Sequence, residues 1–173
     1  MSSTDMQFAE TEDDFQFLDA PRHRVIERLL AYWNAKCGDH EMPSRVDILP
    51  SEIVALLPHI ILCDVQNQGA DYRVRIFGTA LVELVGEERT GKLVSEFGTD
   101  CNPPTQTGQV RHRWMSGMQA TYATRRPVLF KGRMSSSNRP YIVWHGISCP
   151  LTNNTQGVQT DIRQIIGAVI AER

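Results

Sequence analysis

The sequence predicts an α+β domain, in which a five-stranded antiparallel sheet carries helices on one face and an amphipathic helix precedes the sheet. Two observations support this fold class. Apolar runs typical of strands form one group of two and one group of three, and a helical insert separates the groups. Short polar turns join the strands within each group, which favours antiparallel pairing. At 173 residues, with 41% apolar and 22% charged residues, the chain suits one globular domain.

Residues 1–18 are predicted to be an acidic, flexible tail, because six acids and no base occur in residues 1–19. Its phenylalanines remain available to dock on the domain. Residues 19–40 form the predicted N-terminal amphipathic helix, with Asp19 as a candidate N-cap. Its apolar stripe of Val25, Leu29 and Trp33 needs cover, either from its own domain or from a second copy of the chain. We predict that the stripe is a homodimer interface.

Residues 41–173 form the main predicted domain. Pro50 begins a short helix that ends before Pro58. A strand at His59–Val65 and the alternating run YRVRIFG make a hairpin around the polar turn NQGAD. Two short helices, TALVELVG and GKLVSEFG, precede a longer helix that follows Pro103-Pro104 and ends before Pro127. Three more predicted strands close the chain, at Val128–Met134, Tyr141–Leu151 and Arg163–Ala171.

The runs PSRVDILPSEIVALLPHIILCDV, YRVRIFGTAL and VGEERTGK closely resemble a subfamily of stand-alone bacterial PAS-type domains. The resemblance extends from about Leu29 to the end of the chain and is most specific between Pro43 and Gly91. It implies a small ligand in the hollow between sheet and helices, pairing through flanking helices, and signals passed to partner proteins. We therefore expect a cytoplasmic, homodimeric, non-enzymatic sensor or adaptor.

The charged pair Arg45 and Asp47 stands just before the Pro50 helix. A catalytic pair would need a nucleophile, a base or a metal nearby, and the sequence offers none at a motif spacing. A structural clasp fits better, because Asp47 can accept backbone N–H groups and Arg45 can pair with it or with a loop carbonyl.

The predicted ligand pocket is lined by Trp114 and Met118 from the long helix and by Ile76 and Phe130 from the sheet. The penultimate strand adds either Val143 and His145 or Ile142 and Trp144, since alternation alone does not say which pair faces inward. We include His145 in the predicted set, which is therefore Ile76, Trp114, Met118, Phe130 and His145. The other interpretation is a solid core that holds no ligand.

No cofactor is specified by the sequence, and the expected ligand is a small apolar molecule. His112, between two arginines, is a poor candidate to bind haem. Cys101 departs from the pattern that flavin photochemistry of the PAS type requires. The four cysteines are widely spaced, so no metal site is predicted.

Two alternatives from other classes remain. One is a small α+β-barrel enzyme of the isomerase or hydratase type, which would need an acid in its hollow. The other is a nucleotide or nucleic-acid binder, because seven bases and no acid lie between Asp100 and Asp161. No apolar run is long enough to span a membrane, and the N-terminus lacks the features of a secretory signal.

Overall fold

The structure is a computed structural model that describes residues 15–98, 105–136, 139–153 and 161–172. The predicted α+β class is confirmed, with an antiparallel sheet of six strands rather than five. The sheet order is β1-β4-β5-β6-β2-β3. The strands are β1 Phe15–Leu18, β2 Ile60–Gln66, β3 Asp71–Phe77, β4 Val128–Ser136, β5 Arg139–Thr152 and β6 Ile162–Ala171. The helices are α1 Arg24–Cys37, α2 Thr79–Val85 and α3 Thr105–Thr124.

The additional strand, β1, corrects the prediction that residues 1–18 are all a flexible tail. Residues 15–18 pair with β4 at the edge of the sheet, whereas residues 1–14 lie outside the described part. Four residues are too few to show a period in the sequence. The pairing places Phe15, Gly132, Trp144 and Ala171 in one row across four strands.

The two faces of the sheet are covered by different elements. Thr121 of α3 reaches Ser148 of β5, so the even-numbered residues of β5 in this region face α3. The odd-numbered residues face the other way, and there the ring of His145 lies 6.2 Å from that of His23, the N-cap residue of α1. We call these the α3 face and the α1 face.

Helix α1 is covered by its own domain, which corrects the predicted dimer interface. Leu29 is 0% exposed and Trp33 is 5% exposed in the single chain, and Val25 packs against the same core. The indole Nε1 of Trp33 donates a hydrogen bond of 2.9 Å to the carbonyl of Pro150 on β5. An apolar stripe already buried in this way is not available to a second copy.

The N-cap of α1 is His23 and not Asp19. The Nδ1 atom of His23 accepts the N–H of Val25 at 3.2 Å.

The segment before β2 forms three short 3-10 turns instead of one helix, at Arg45–Asp47, Pro50–Glu52 and Leu57–His59. Arg45 and Asp47 both bind backbone there. The Asp47 carboxylate accepts the N–H of Ser44 at 2.8 Å, and the Arg45 guanidinium donates to the carbonyl of Ile48 at 3.1 Å. Both side chains therefore stabilise the turn Arg45–Asp47, whereas the sequence predicted that they would hold the helix that begins at Pro50.

Candidate functional site

The space between α3 and the sheet is filled by aromatic side chains, with the ring of Phe130 at its centre. That ring lies between Gly117 of α3 and Gly146 of β5. An added Cβ would approach the ring to 2.8 Å at Gly117 and 2.2 Å at Gly146. Both positions therefore need glycine so that the helix and the strand can close on the ring.

Near β1 this space is filled by three aromatic rings that contact one another. Phe15 stacks on Phe130 with ring centroids 5.6 Å apart, and it lies 6.2 Å from Trp144. Phe130 and Trp144 meet edge to face at 5.8 Å. Aromatic pairs in these geometries stabilise a core beyond their buried area. The N-terminal strand thus completes this end of the α3 face.

Towards β3, a buried arginine lies beside two aromatic rings that both contact Trp114, and we call Arg89, Phe77, Phe97 and Trp114 the arginine box. The guanidinium of Arg89 is 4.3 Å from the ring centroid of Phe97 and 6.0 Å from that of Phe77. Trp114 of α3 meets Phe97 edge to face at 5.6 Å. Cations this close to ring faces are attracted by the ring quadrupole.

The charge of Arg89 is enclosed, since its side chain is only 5% exposed. Glu87 lies near it, with a carboxylate oxygen 3.6 Å from the Arg89 Nε, and also binds Lys92. The pKa of Glu87 is lowered, first by the hydrogen bond from Lys92, with smaller contributions from the charges of Lys92 and Arg89. The carboxylate of Glu87 is therefore shared between the buried guanidinium of Arg89 and the ammonium of Lys92.

Three of the five predicted pocket residues come together on the α3 face. Met118 and Phe130 are buried there, and Trp114 is part of the arginine box. Ile76 is not among them: it pairs with Leu62 on the α1 face and is 38% exposed. An irregularity in the β2–β3 ladder at Leu62/Cys63 breaks the alternation of β3, so Phe77 takes the inward place that alternation assigns to Ile76.

His145 is also separated from the predicted pocket, because β5 turns Trp144 to the α3 face. Its side chain is buried, its Nε2 lies 3.7 Å from a carboxylate oxygen of Glu172, and its Nδ1 has no hydrogen-bond partner among the described residues. Beside it, a cleft of about 730 Å³ opens at the end of β6. The cleft is lined by residues from both faces, including His23, His59, Glu83, Leu84 and Glu172.

The sequence did not single out Arg89. An arginine in the charged run GEERTGK reads as a solvent-exposed residue, and arginine is seldom buried. One sequence feature did point to this region, because GEERTGK belongs to a run that carries part of the resemblance described above.

The described residues offer few groups for metal or covalent chemistry. They contain no group of three or more His, Cys, Asp or Glu that could hold a metal ion. Burial raises the pKa of the Cys63 and Cys149 thiols, which disfavours the reactive thiolate. His112 is exposed on α3, and Cys101 lies outside the described residues.

Within the basic half, Arg125 is engaged by the domain itself. It binds the two carboxylate oxygens of Glu41 at 3.0 and 3.2 Å, and this hydrogen bonding lowers the pKa of Glu41. Part of the positive charge noted in the sequence is therefore neutralised within the chain.

A comparison with known families finds that residues 21–143 match the PAS domain. This chain belongs to the PAS domain family. PAS domains are generally sensory, non-catalytic modules, and they commonly mediate dimerisation or signalling interactions. No curated protein matches the chain. None of the helices in the described ranges is long and apolar enough to cross a membrane.

Three solved structures are similar to this PAS domain at low identity. An RNA-binding light-oxygen-voltage receptor is 15% identical, with a TM-score of 0.44 over 73% of this chain and 33% of its own. A fungal LOV domain photoreceptor is 14% identical, with a TM-score of 0.42 over 66% of this chain and 74% of its own. A sensory box histidine kinase/response regulator from Burkholderia thailandensis E264 is 12% identical, with a TM-score of 0.38 over 71% and 84%. The chain thus spans about a third of the first of these receptors.

Proposed function

We propose that this PAS domain is a non-enzymatic sensor of bacterial cytoplasmic signalling, and that the arginine box binds a small ligand with a flat apolar body and a carboxylate or phosphate. The observation that carries the proposal is the enclosed charge of Arg89 on the ring of Phe97. A guanidinium held among aromatic rings offers several N–H donors that match a carboxylate or a phosphate. An anionic ligand would add a second anion beside Arg89, while Glu87 keeps its contacts with Arg89 and Lys92.

The aromatic members of the box suit the rest of such a ligand. Phe77 and Phe97 are buried and both contact Trp114, so a flat apolar body could stack on them in the place of the Trp114 ring. Trp114 belongs to α3, which Thr121 joins to β5 through Ser148. A ligand that displaces Trp114 would therefore shift the helix against the sheet, which is a means of passing on a signal.

The test compares native and denatured mass spectra of the purified full chain. We expect extra mass that is lost on denaturation, absent from Arg89→Gln and retained in the control Arg75→Gln. Arg75 is a suitable control because its ion pair with Asp64 lies on the exposed part of the sheet. Circular dichroism would establish that both variants are folded.

Two results would contradict the proposal. Extra mass that survives Arg89→Gln would place the ligand elsewhere. A wild-type protein without extra mass, whose melting temperature does not rise with a panel of aromatic carboxylates and phosphates, would leave partner binding as the function of the domain.

The proposal includes a homodimer, because PAS domains commonly pair. Its interface must differ from the buried α1 stripe. Light scattering of the wild-type chain at several concentrations tests this, and a monomer throughout would remove the dimer from the proposal.

A further inference from the structure

We propose that the edge of β4, together with the rings of Phe130 and Trp144, is a docking groove for an extended segment of a partner protein. The segment would have acidic residues followed by aromatic residues at alternate positions. In this chain the groove is occupied by the chain's own β1, which acts as an intramolecular competitor. The groove differs from the arginine box, so the inference stands without the proposed ligand.

The first argument is the way in which β1 is held. It has four residues, pairs with Leu129–Gly132 of β4, and lies at the end of the strand order. It is continuous with α1 through residues 19–23, of which Asp19 and Ala20 are exposed. A short edge strand can leave without breaking any other pairing of the sheet. Its departure would open a row of unpaired backbone groups on β4, and such an edge accepts an extended peptide.

The second argument is the anchor that β1 supplies. Phe15 is inserted on the α3 face, where it stacks on Phe130 and also lies 6.5 Å from the ring of His112 on α3. Phe17, two residues later, is 55% exposed and touches Phe15 edge to face at 5.2 Å. Phe15 is therefore the partly buried aromatic anchor of β1, whereas Phe17 is exposed. A partner segment needs an aromatic residue at the Phe15 position in order to take its place.

The third argument is charge. A cleft of about 330 Å³ beside β1 is lined by Gln16, Lys131, Gly132, Arg133, Val143 and Glu172. Two cations and one anion give this wall a net positive charge. A peptide that continued the β1 ladder one residue beyond the Phe15 position would place that residue opposite Arg133. In this sequence the two residues before Phe15 are Asp13 and Asp14, so the chain's own segment has the complementary chemistry.

Tethering explains why a free partner would bind weakly to the resting protein. A segment joined by a short linker competes at an effective concentration on the order of millimolar. Loosening β1 should therefore strengthen partner binding without adding any contact. Phe15 also contacts His112 of α3. Replacement of β1 by a partner segment would therefore change the packing of α3, the helix that contributes Trp114 to the arginine box.

The experiment uses the full chain and a fluorescent peptide with the sequence of residues 10–20, ETEDDFQFLDA. Fluorescence anisotropy would measure its affinity for three proteins. These are the wild type, Phe15→Ser, and the double variant Gln16→Cys/Lys131→Cys, in which an oxidised disulfide between directly paired residues locks β1 in place. Mass spectrometry of the digested protein would verify that this disulfide has formed.

We expect at least about 10-fold tighter binding to Phe15→Ser than to the wild type. The oxidised double variant should not bind, and reduction should restore its binding. A peptide with alanine at the Phe15 position should fail to bind any of the proteins, and one with Asn at the Asp13 and Asp14 positions should bind more weakly. The comparison of oxidised with reduced protein is valid even if Phe15→Ser does not fold.

Three results would overturn the inference. Equal binding to the oxidised and reduced double variant would place the peptide elsewhere. Absence of binding to the reduced double variant and to Phe15→Ser would show that the β4 edge is not a docking groove. A disulfide-linked dimer of the oxidised variant would show that a second copy of this chain, and not the chain itself, supplies the strand.

Discussion

The indole of Trp33 and the carbonyl of Pro150 are joined by a buried hydrogen bond of 2.9 Å, although 117 positions separate them in the sequence. The bond fixes α1 on the α1 face of its own sheet. Around it, Ile26 and Leu29 are buried in the same core. Helix α1 is therefore part of the domain and not a projecting pairing element.

The α1 stripe should respond to mutation as a core. We expect Leu29→Ala to lower the free energy of unfolding by about 2–5 kcal/mol, because it leaves a cavity under α1. Trp33→Phe should lower it by about 1–3 kcal/mol, since the Pro150 carbonyl loses its donor. Urea unfolding would measure both. Light scattering should show an unchanged oligomeric state. If the variants instead lost a dimer and kept their stability, the stripe would be an interface between two copies of the chain.

Gly146→Ala should force the ring of Phe130 out of its place. A Cβ at this position would lie 2.2 Å from a ring carbon, so strand or ring must move. We expect a loss of about 1–3 kcal/mol in the free energy of unfolding. Phe130→Leu should recover part of this loss in the double variant, because the smaller side chain leaves room for the methyl group. Additive effects of the two changes in thermal unfolding would refute the proposed close packing.

The contact between Thr121 and Ser148 should show strong coupling in a double-mutant cycle. Their hydroxyl oxygens are 2.8 Å apart, and both residues are buried. Thr121→Val removes a hydrogen-bond partner of the Ser148 hydroxyl and should lower the free energy of unfolding by about 1–3 kcal/mol. Adding Ser148→Ala should then cost less than it does alone, with a coupling of about 0.5–2 kcal/mol. A coupling near zero would mean that the hydroxyls do not join α3 to β5.

Glu87 should make stability depend on pH in the acid range. Because its pKa is lowered in the folded state, chiefly by Lys92, the unfolded chain takes up its proton first as the pH falls. The stabilisation is fully present above the ordinary glutamate pKa of about 4.3 and is lost as the pH drops through the folded value. Partial exposure limits the effect to less than about 1 kcal/mol.

The corresponding experiment follows the urea midpoint from pH 7 to pH 3. Glu87→Gln should flatten the decrease below about pH 4.5, and the control Glu83→Gln tests whether the loss of any one acidic side chain has the same effect. Glu83 is suitable because it is exposed on α2 and makes no ion pair recorded among the described residues. An identical pH profile for wild type and Glu87→Gln would show that the carboxylate is not stabilised by its neighbours.

The order of strands and helices could be predicted because each long element has its own period and its own breakers. The end of α2 at Gly86, in the left-handed region with φ of 78°, and the end of α3 before Pro127 are examples. The cover of α1 could not be predicted, since an apolar stripe looks the same whether its own sheet or another copy buries it. The packing partners of Trp33 exist only in the folded chain.

The candidate site was predicted in part. Trp114, Met118 and Phe130 lie on the α3 face, as the helical and strand periods predict. Ile76 was misplaced because the β2–β3 irregularity has no signature in YRVRIFG. Arg89 was missed because burial of a charge depends on the aromatic residues that surround it in space, and Phe77 and Trp114 are distant from it in sequence.

The row that joins Phe15, Gly132, Trp144 and Ala171 also determines how the domain would respond to mechanical force. Neighbouring strands lie about 4.8 Å apart, so the points where the chain enters and leaves this row are roughly 14 Å apart. A pulling force applied at these two points acts across the strands and opens their hydrogen bonds one after another. In an optical trap β1 should peel away first, at low force, while the α1 face remains intact.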